Sequence, residues 1–188
     1  YYSNAQGDKH MSADKKKRGK SSIGPIVSSA HLAAEGASEL SEFEFGLTLA
    51  NNAFHRWIVR CMAAAGYPDL GALEVLILHT VNHRDRAKKL ADICLVLNVE
   101  DTHVVNYALK KLVKLRLVDS TKSGKENLFA TTDTGAETCE RYREIRDQCL
   151  VETFTSFGGN AKQVSELAAL MRMLSGLYDQ AARAATSL

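Results

Sequence analysis

The stretch from Lys88 to Thr132 constrains the fold of this chain more than any other segment. Its first part, KKLADICLVLN, has apolar residues at the helical spacings of three and four, namely Leu90, Ile93, Cys94 and Leu97. This spacing predicts a helix that packs one stripe against a core. We expect the polar residues of the same helix, Lys88, Lys89 and Asp92, to face solvent.

A second helix is predicted over residues 102–115, after a break in the pattern. Asp101 or Thr102 can cap this helix, because their side-chain oxygens can accept hydrogen bonds from its first free N–H groups. Its apolar stripe consists of Val105, Leu109, Leu112 and Val113. Its opposite edge carries polar and cationic groups, at His103, Asn106, Tyr107, Lys110 and Lys114. Such an edge suits the major groove of DNA.

Two runs of β-prone residues follow, at 117–121 and 127–131. The sequence KSGKE between them contains a glycine, which permits a hairpin turn. Lys122 and Lys125 lie near the tip of this hairpin, where they can reach a neighbouring phosphate. Helix, turn, helix and hairpin together predict a winged helix-turn-helix over residues 67–132, with the hairpin as its wing.

At these residues the sequence resembles the MarR family of bacterial winged-helix transcription regulators. The matching residues are Leu112 at the end of the recognition helix, the pair Leu117-Val118, Lys125 in the wing, and Thr132-Asp133-Thr134-Gly135 at the start of the next helix. The resemblance covers roughly residues 42–185. It implies a mainly α fold, with a small β-hairpin wing and long dimerisation helices.

Two positions depart from the family pattern. Where the family usually has a glycine after the recognition helix, this chain has Arg116, so either a left-handed residue with a Cβ or a different turn must end the helix. The Asp-Arg-Arg wing tip of the family is here Ser123-Gly124-Lys125, with a single cation. The sequence therefore supports docking of the recognition helix more strongly than insertion of the wing into the minor groove.

Length and composition indicate a helical domain. The chain has 188 residues, of which 45% are hydrophobic, and only two prolines, so it is long enough for one core and has few helix breakers. No apolar run approaches the roughly 20 residues needed to cross a bilayer, and no signal-peptide pattern is visible. We therefore expect a cytoplasmic protein.

The formal net charge of +2 conceals an uneven distribution. Residues 84–126 carry ten Lys/Arg and six Asp/Glu, whereas residues 21–83 carry two and six, and residues 127–188 carry six and eight. The basic segment coincides with the helix-turn-helix and wing, as expected for DNA binding, in which neutralised phosphates supply most of the sequence-independent affinity. The alternative is an ordinary solvated charged face.

Residues 1–40 are expected to lie outside the folded domain. Residues 1–10 precede Met11 and contain Ser-Asn-Ala, which is typical of the remnant of a cleaved expression tag. The charged run at 12–22 is predicted to be a disordered arm, and the Ala/Ser/Gly-rich residues after it a lead-in segment.

Helical regions are predicted on both sides of the winged unit, over residues 41–66 and 133–188. Ser41 and Glu44 have the spacing of a capping box at the start of the first region. Thr132 is expected to cap the second region, in the same way that Asp101 or Thr102 caps the recognition helix.

The flanking helices carry long apolar stripes. Gly158-Gly159 divides the second region, and a last helix is predicted from about Ala161 to Ala185. These stripes are longer than a small winged unit can cover, and the simplest way to bury them is against a second copy of the chain. The resemblance likewise implies a homodimer built on the first and last helices. A bundle within one chain is the alternative.

No metal site, cofactor or enzymatic activity is predicted. The cysteines lie on apolar helical stripes without CxxC spacing, at Cys61, Cys94, Cys139 and Cys149, and are expected to be buried. His79 and His83 have the spacing of a zinc-binding HExxH helix, but Thr80 stands where the catalytic Glu is required. No nucleophilic triad or nucleotide-binding loop is present.

The leading hypothesis is a homodimeric DNA-binding regulator. Asn106 is the best candidate for reading adenine, because its amide can pair with both N6 and N7, while His103 and Tyr107 can contact a base edge or a thymine methyl. The lysines are expected to hold phosphates, which fix the register without reading sequence, at Lys110, Lys114, Lys122 and Lys125.

Three alternatives remain. The resemblance implies a small aromatic ligand in a cleft lined by Phe54, Trp57, His79 and Tyr142, unless these are core residues. A metal- or redox-responsive sensor of the same fold is the second alternative, and a protein-interaction module without DNA binding is the third.

Overall fold

The structure, a computed structural model, describes residues 38–84 and 86–188. The tag remnant, the basic arm and most of the lead-in predicted for residues 1–40 lie outside the described residues. In chain order the elements are α1 Ser38–Ala64, α2 Ala72–Asn82, β1 Lys88–Lys89, α3 Leu90–Leu97, α4 Thr102–Lys114, β2 Val118–Ser123, β3 Glu126–Thr131, α5 Asp133–Arg146, a π-helical turn Asp147–Val151, α6 Glu152–Ser156 and α7 Ala161–Ala185. The predicted fold class, mainly helical with a small β wing, is confirmed.

The helix α1 is already helical at the first described residue. The predicted capping box is therefore wrong, because Ser41 and Glu44 lie inside the helix rather than at its start. The chain divides into two compact units, residues 1–50 and 51–188. Of the first unit, residues 38–50 are described and all of them are helical.

The second unit has a core built from the end of α1, from α2 to α5 and from the sheet. Its largest fully buried side chains are Ile58, Met62, Leu70, Val75, Ile77, Leu78, Val81, Ile93, Val105, Leu109, Leu112 and Leu117. The apolar stripe predicted for α4 is confirmed, and it ends with the half-buried Val113. Each fully buried side chain of this kind contributes about 1.5–3 kcal/mol. The winged unit therefore shares one core with the end of α1 and with α5.

The three strands of the described residues form one antiparallel sheet in the order β1-β3-β2. The strands β2 and β3 make the predicted hairpin, in which Val118 pairs with Thr131 and Ser123 with Glu126. The short strand β1 was not predicted. It pairs with the far side of β3, where Lys88 lies opposite Phe129.

The prediction that Lys88 faces solvent is wrong. Successive residues of a strand point to opposite faces, so β1 turns Lys88 inward and Lys89 outward. Lys88 is 7% exposed. Its ammonium donates hydrogen bonds to the carbonyl oxygens of Val81, His83 and Arg86, at 2.8, 2.5 and 3.1 Å. A cation at this position satisfies carbonyl groups at the end of α2 and complements the negative end of the helix dipole.

The helix predicted after the wing is continuous in direction but not uniform. Thr132 caps α5 as predicted, since its hydroxyl accepts a hydrogen bond from the N–H of Gly135 at 3.0 Å. The π-helical turn at 147–151 then separates α5 from α6. Cys149 lies on this turn and is exposed, which corrects the expectation that all four cysteines are buried; Cys61, Cys94 and Cys139 are buried.

The last helix, α7, agrees with its predicted bounds. Asn160 caps it by accepting hydrogen bonds from the N–H groups of Lys162 and Gln163. None of the residues of α7 is buried in the single chain. Its exposed apolar side chains are Val164, Leu167, Leu170, Met171, Met173 and Leu177. In the part of the chain that the structure describes, no helix is both long and apolar enough to cross a membrane.

Candidate nucleic-acid interface

The recognition helix α4 begins at a side-chain cap. The carboxylate of Asp101 accepts a hydrogen bond from the N–H of His103 at 2.8 Å, so the first of the two predicted caps is the one used. The cap fixes where the helix starts, and therefore which residues lie on its first turn.

The helix α4 ends at a left-handed residue, although the glycine that is usual at this position in the family is absent. Arg116 adopts a left-handed conformation with φ of 59°. The N–H of Arg116 donates to the carbonyl of Val113 at 2.9 Å, and the N–H of Leu117 donates to the carbonyl of Leu112 at 3.0 Å. These two bonds form a Schellman motif, which an arginine here completes despite its Cβ.

The hydroxyl of Thr132 contacts the same corner, which is the turn at Arg116 between α4 and β2. Thr132 donates its hydroxyl to the carbonyl of Arg116 at 2.7 Å, while the same oxygen caps α5. The start of α5 approaches the corner closely, because a Cβ added to Gly135 would lie 2.0 Å from the carbonyl oxygen of Leu117. The end of the recognition helix is thus fixed to the base of the wing and to α5.

The predicted DNA-facing edge of α4 is largely accessible. His103, Tyr107, Lys110 and Lys114 are exposed, and 73% of Tyr107 is accessible. Asn106 is half-buried, because it faces the wing instead of open solvent. Of the five predicted residues, Asn106 is therefore the least accessible and lies beside the wing, whereas Tyr107 is exposed.

Lys111 does not share this exposed edge. Its ammonium donates to the backbone carbonyl of Asp69 at 2.6 Å and lies 3.3 Å from the carboxylate of Glu74. It joins α4 to the start of α2 and is directed away from the edge that carries Lys110 and Lys114. Lys110 and Lys114 are therefore available to phosphates, whereas Lys111 is occupied by Asp69 and Glu74.

The wing is tighter than predicted. Ser123 pairs with Glu126, so the turn contains only Gly124 and Lys125. Gly124 has φ of 62°, a conformation that glycine adopts without steric cost at the first position of a two-residue hairpin turn. Lys125 is at the tip as predicted, whereas Lys122 lies within β2, where it pairs with Asn127. Both lysines are exposed.

A cleft of about 350 Å³ separates the start of α4 from the wing. It is lined by Lys89, Leu90, Ala91, Thr102, Asn106, Lys125, Glu126, Asn127 and Phe129. Lys89 and Glu126 form an ion pair of 2.6 Å across one side of this cleft. The hydrogen bond that the ammonium of Lys89 donates to the carboxylate of Glu126 raises the pKa of Lys89. These two residues and Asn127 were not among the predicted site residues, because the pairing of β1 with β3 brings them together.

The residues predicted for a ligand cleft are only partly brought together. The rings of His79 and Tyr142 are in edge-on contact, with centroids 4.4 Å apart. They line a cavity of about 400 Å³ between α2 and α5, with Asn82, Cys139, Glu140, Arg143 and Arg146 among its other lining residues. Phe54 and Trp57 do not line this cavity, since Trp57 packs against the core and Phe54 is 49% exposed.

His79 has an unusual environment. Burial lowers the pKa of its imidazole, which favours the neutral ring. Its Nε2 is buried without a hydrogen-bond partner among the described residues. His83 is exposed. Within the described ranges no group of three or more His, Cys, Asp or Glu residues could hold a metal ion.

Comparison with known families and structures agrees with this geometry. Residues 70–135 match the family described as "Winged helix DNA-binding domain". The matched range includes α2, the helix-turn-helix, the wing and the start of α5. A comparison with curated protein sequences finds no significant match.

Solved structures of similar fold come from the MarR family. A MarR-family transcriptional regulator from Rhodococcus sp. RHA1 has a TM-score of 0.61 at 13% identity, over 75% of this chain and 96% of that chain. CouR from Rhodococcus jostii RHA1, bound to p-coumaroyl-CoA, has a TM-score of 0.60 at 14% identity, over 70% of this chain and 90% of that chain. A mutant of E. coli MarR, complexed with operator DNA, has a TM-score of 0.59 at 19% identity, over 75% of this chain and 99% of that chain.

These matches confirm the resemblance at the level of the fold. The chain contains a winged-helix DNA-binding domain and has the fold of the MarR-family transcriptional regulators.

Proposed function

We propose that this chain is a homodimeric transcription regulator that binds a palindromic DNA operator in the cytoplasm. The observation that carries the proposal is the accessible edge of α4, held beside a lysine-tipped wing within a winged-helix DNA-binding domain. The mutant of E. coli MarR, which has the same fold, was solved in complex with operator DNA, and this supports the same partner here.

Within this proposal, the residues of α4 and the wing divide the work of recognition. Tyr107 and His103 lie where side chains can reach base edges, and Asn106 reads adenine from the side of the helix that faces the wing. Lys110, Lys114, Lys122 and Lys125 contact phosphates, which supply affinity and register but no sequence information. The wing contributes less than the helix, because a single lysine occupies its tip.

The dimer is supported by the exposed apolar surface of the last helices. Val164, Leu167 and Met171 of α7 follow one another at helical spacing, and each is at least 40% exposed in the single chain. Leu150 and Phe154 beyond α5 are similarly exposed. Apolar stripes of this length are typical of an interface with a second copy, and such an obligate interface buries about 2,000 Å² or more.

A twofold dimer predicts the form of the operator. Its two recognition helices would enter successive major grooves about 34 Å apart, so the half-sites are inverted and one helical turn apart. The test is binding of purified protein to the DNA upstream of its own coding sequence, followed by footprinting. A symmetrical protected region of two half-sites supports the proposal. Binding to no duplex, even at low salt, would contradict it and favour a protein-interaction module.

A second candidate function is regulation by a small organic ligand. The specific observation is the cavity between α2 and α5, which His79 and Tyr142 line together with Arg143 and Arg146. CouR, of the same fold, was solved with p-coumaroyl-CoA bound.

We propose an aromatic acid as the ligand class, because two aromatic rings and two arginines line the cavity. Salicylate and 4-hydroxycinnamate should raise the melting temperature of the wild-type chain but not that of His79→Phe. Benzyl alcohol, which is neutral, is the control compound and should raise neither melting temperature. Equal shifts in both proteins would place the binding elsewhere. A metal- or redox-responsive function is not favoured by the described residues.

A further inference from the structure

The ion pair between Lys89 and Glu126 follows from the register of the sheet. Lys89 of β1 pairs with Leu128 of β3, and Glu126 lies two residues along the same strand. Residues two apart share one face of a strand, so Lys89 and Glu126 are diagonal neighbours on the outer face. Their charged atoms lie 2.6 Å apart. The pair joins the base of the helix-turn-helix to the tip half of the wing.

The pair is accessible and exchangeable. The side chains of Lys89 and Glu126 are 50% and 54% exposed. Exposed ion pairs contribute little net stability, because water and salt compete for both charges and two flexible side chains must be held in place. The pair is therefore not required to hold the sheet together. Lys89 is also near Asp92, whose carboxylate accepts a hydrogen bond from the backbone N–H of Lys89 at 3.3 Å.

The ion pair of Lys89 and Glu126 lies where DNA phosphates are expected to run. It lines the cleft between α4 and the wing, together with Asn106 and Lys125. In a winged helix that places α4 in the major groove and its wing beside the adjacent minor groove, the phosphate backbone between the two grooves runs over this cleft. A carboxylate at that place repels phosphates, whereas a free ammonium attracts them.

We propose that Glu126 is an internal substitute for a DNA phosphate: it holds the ammonium of Lys89 in the free protein, and the DNA backbone replaces it on binding. This inference rests on the proposed DNA-binding function and adds two residues to it. Lys89 becomes a phosphate-binding residue that the sequence analysis did not identify. Glu126 becomes a positioning residue that keeps Lys89 in the cleft but makes every phosphate contact of Lys89 compete with an internal partner.

The consequence is weaker binding to random DNA than the lysine count suggests. A phosphate contact strengthens binding through the release of a counterion, and it makes the affinity fall as salt rises. When a phosphate displaces Glu126 from Lys89, the freed carboxylate attracts a cation, which offsets the cation that the phosphate releases. Glu126 thus lowers both the sequence-independent affinity and its dependence on salt. Specific contacts made by α4 are not affected.

The test is the substitution Glu126→Gln, with binding to a random-sequence duplex measured by fluorescence anisotropy over a range of salt. The substitution removes the carboxylate that competes with the DNA phosphate for Lys89, so this contact is no longer offset by a freed negative charge. The slope of log K against log salt should steepen by about 0.9, and binding at low salt should tighten about tenfold. The double variant Lys89→Gln/Glu126→Gln should lose this gain.

Asp119→Asn is the matched control. It makes the same change in net charge, on the same face of the same hairpin. Asp119 pairs with Ala130, four residues from Glu126 along β3. At 3.4 Å per residue this separation is about 14 Å, which exceeds the screening length of about 8 Å at physiological salt. Its effect on the slope should be small.

The outcomes separate the inference from the function on which it rests. An unchanged slope for Glu126→Gln, or an equal change for Asp119→Asn, would overturn the inference and leave the proposed function intact. Weaker binding with faster hydrogen exchange in the wing would also overturn it, because the pair would then be a structural tie. If the wild-type chain binds no duplex at low salt, the proposed function fails and the inference fails with it.

Discussion

The winged unit and the last helix use apolar residues in opposite ways. In α4, the side chains of Leu109 and Leu112 are fully buried within the single chain. In α7, a helix almost twice as long, none of the residues is buried, and Leu167 is 50% exposed. Both helices have regular apolar stripes, so the pattern alone does not distinguish them. The difference shows that one stripe is satisfied by its own chain, whereas the other is consistent with an unfilled interface.

The largest expected effect is the loss of a winged-unit core residue. Leu109→Ala leaves a cavity in a closely packed region and should lower the free energy of unfolding by about 2–5 kcal/mol. Urea unfolding should show the loss at every protein concentration, because Leu109 serves the single chain. Leu167→Ala is the matched variant in α7. A loss of the same size at all concentrations for Leu167→Ala would end the distinction between the two stripes.

A charge in the proposed interface should have the next largest effect. Leu167→Glu places an unpaired carboxylate in the apolar stripe of α7 and should weaken dimerisation by about 3 kcal/mol, or roughly a hundredfold. Sedimentation equilibrium measures the change.

Leu95→Glu is the control for this interface variant. Leu95 lies on α3 and is 81% exposed, so its substitution should leave the dimer unchanged. Dissociation by Leu95→Glu and not by Leu167→Glu would move the interface to the winged unit.

Two neighbouring lysines make a smaller and sharper comparison. Lys88→Met keeps the aliphatic stem but leaves carbonyl groups at the end of α2 without their donor. It should lower the free energy of unfolding by about 1–3 kcal/mol. Lys89→Met should change stability little, because its ion pair is exposed. Thermal and urea unfolding of both variants provide the measurement. Equal losses would mean that burial of Lys88 contributes nothing specific to the winged unit.

The smallest expected effect is a gain. Arg116→Gly relieves the left-handed strain of a residue with a Cβ, offset in part by the greater freedom of glycine in the unfolded chain, and should stabilise the winged unit by about 0.5–1 kcal/mol. The urea midpoint should rise without a change in slope.

Asn98→Gly is the control, since Asn98 has φ of 52°. Asparagine tolerates this conformation, and its amide lies 3.4 Å from Asp179. No gain is therefore expected from Asn98→Gly. An equal gain at both positions would mean that strain at Arg116 is not special.

Local patterns explain most of what the sequence predicted. The stripe of α4, the cap at Asp101, the cap at Thr132 and the bounds of α7 depend on residues within a few positions of each other. The left-handed conformation of Arg116, one of the two alternatives that the sequence left open, is of the same kind, because one helix end determines it. Such features are readable because the groups that interact are close in sequence.

The features that were not predicted, or were predicted wrongly, depend mostly on residues that are far apart in sequence. The strand β1 contains two residues, and its partner Phe129 lies about forty positions away, so no local period reveals it. The burial of Lys88 and the pair formed by Lys89 with Glu126 both depend on that strand. Cys149 follows the apolar spacing but lies on a π-helical turn, which shifts the face of the helix. These residues are placed by tertiary pairing rather than by spacing.

The hydroxyl of Thr132 also makes the winged unit and α5 a mechanical linkage. Because it bonds both to the turn after α4 and to the start of α5, a tilt of one helix without the other would stretch one of these two hydrogen bonds. The helix α5 has 14 residues and is about 21 Å long. A tilt of about 10° at the corner therefore displaces its far end by roughly 4 Å, close to the 3.4 Å step between base pairs. In a dimer, a small rearrangement among the α5 helices would change the separation of the two recognition helices by about one base pair, and so change which operators both helices can bind together.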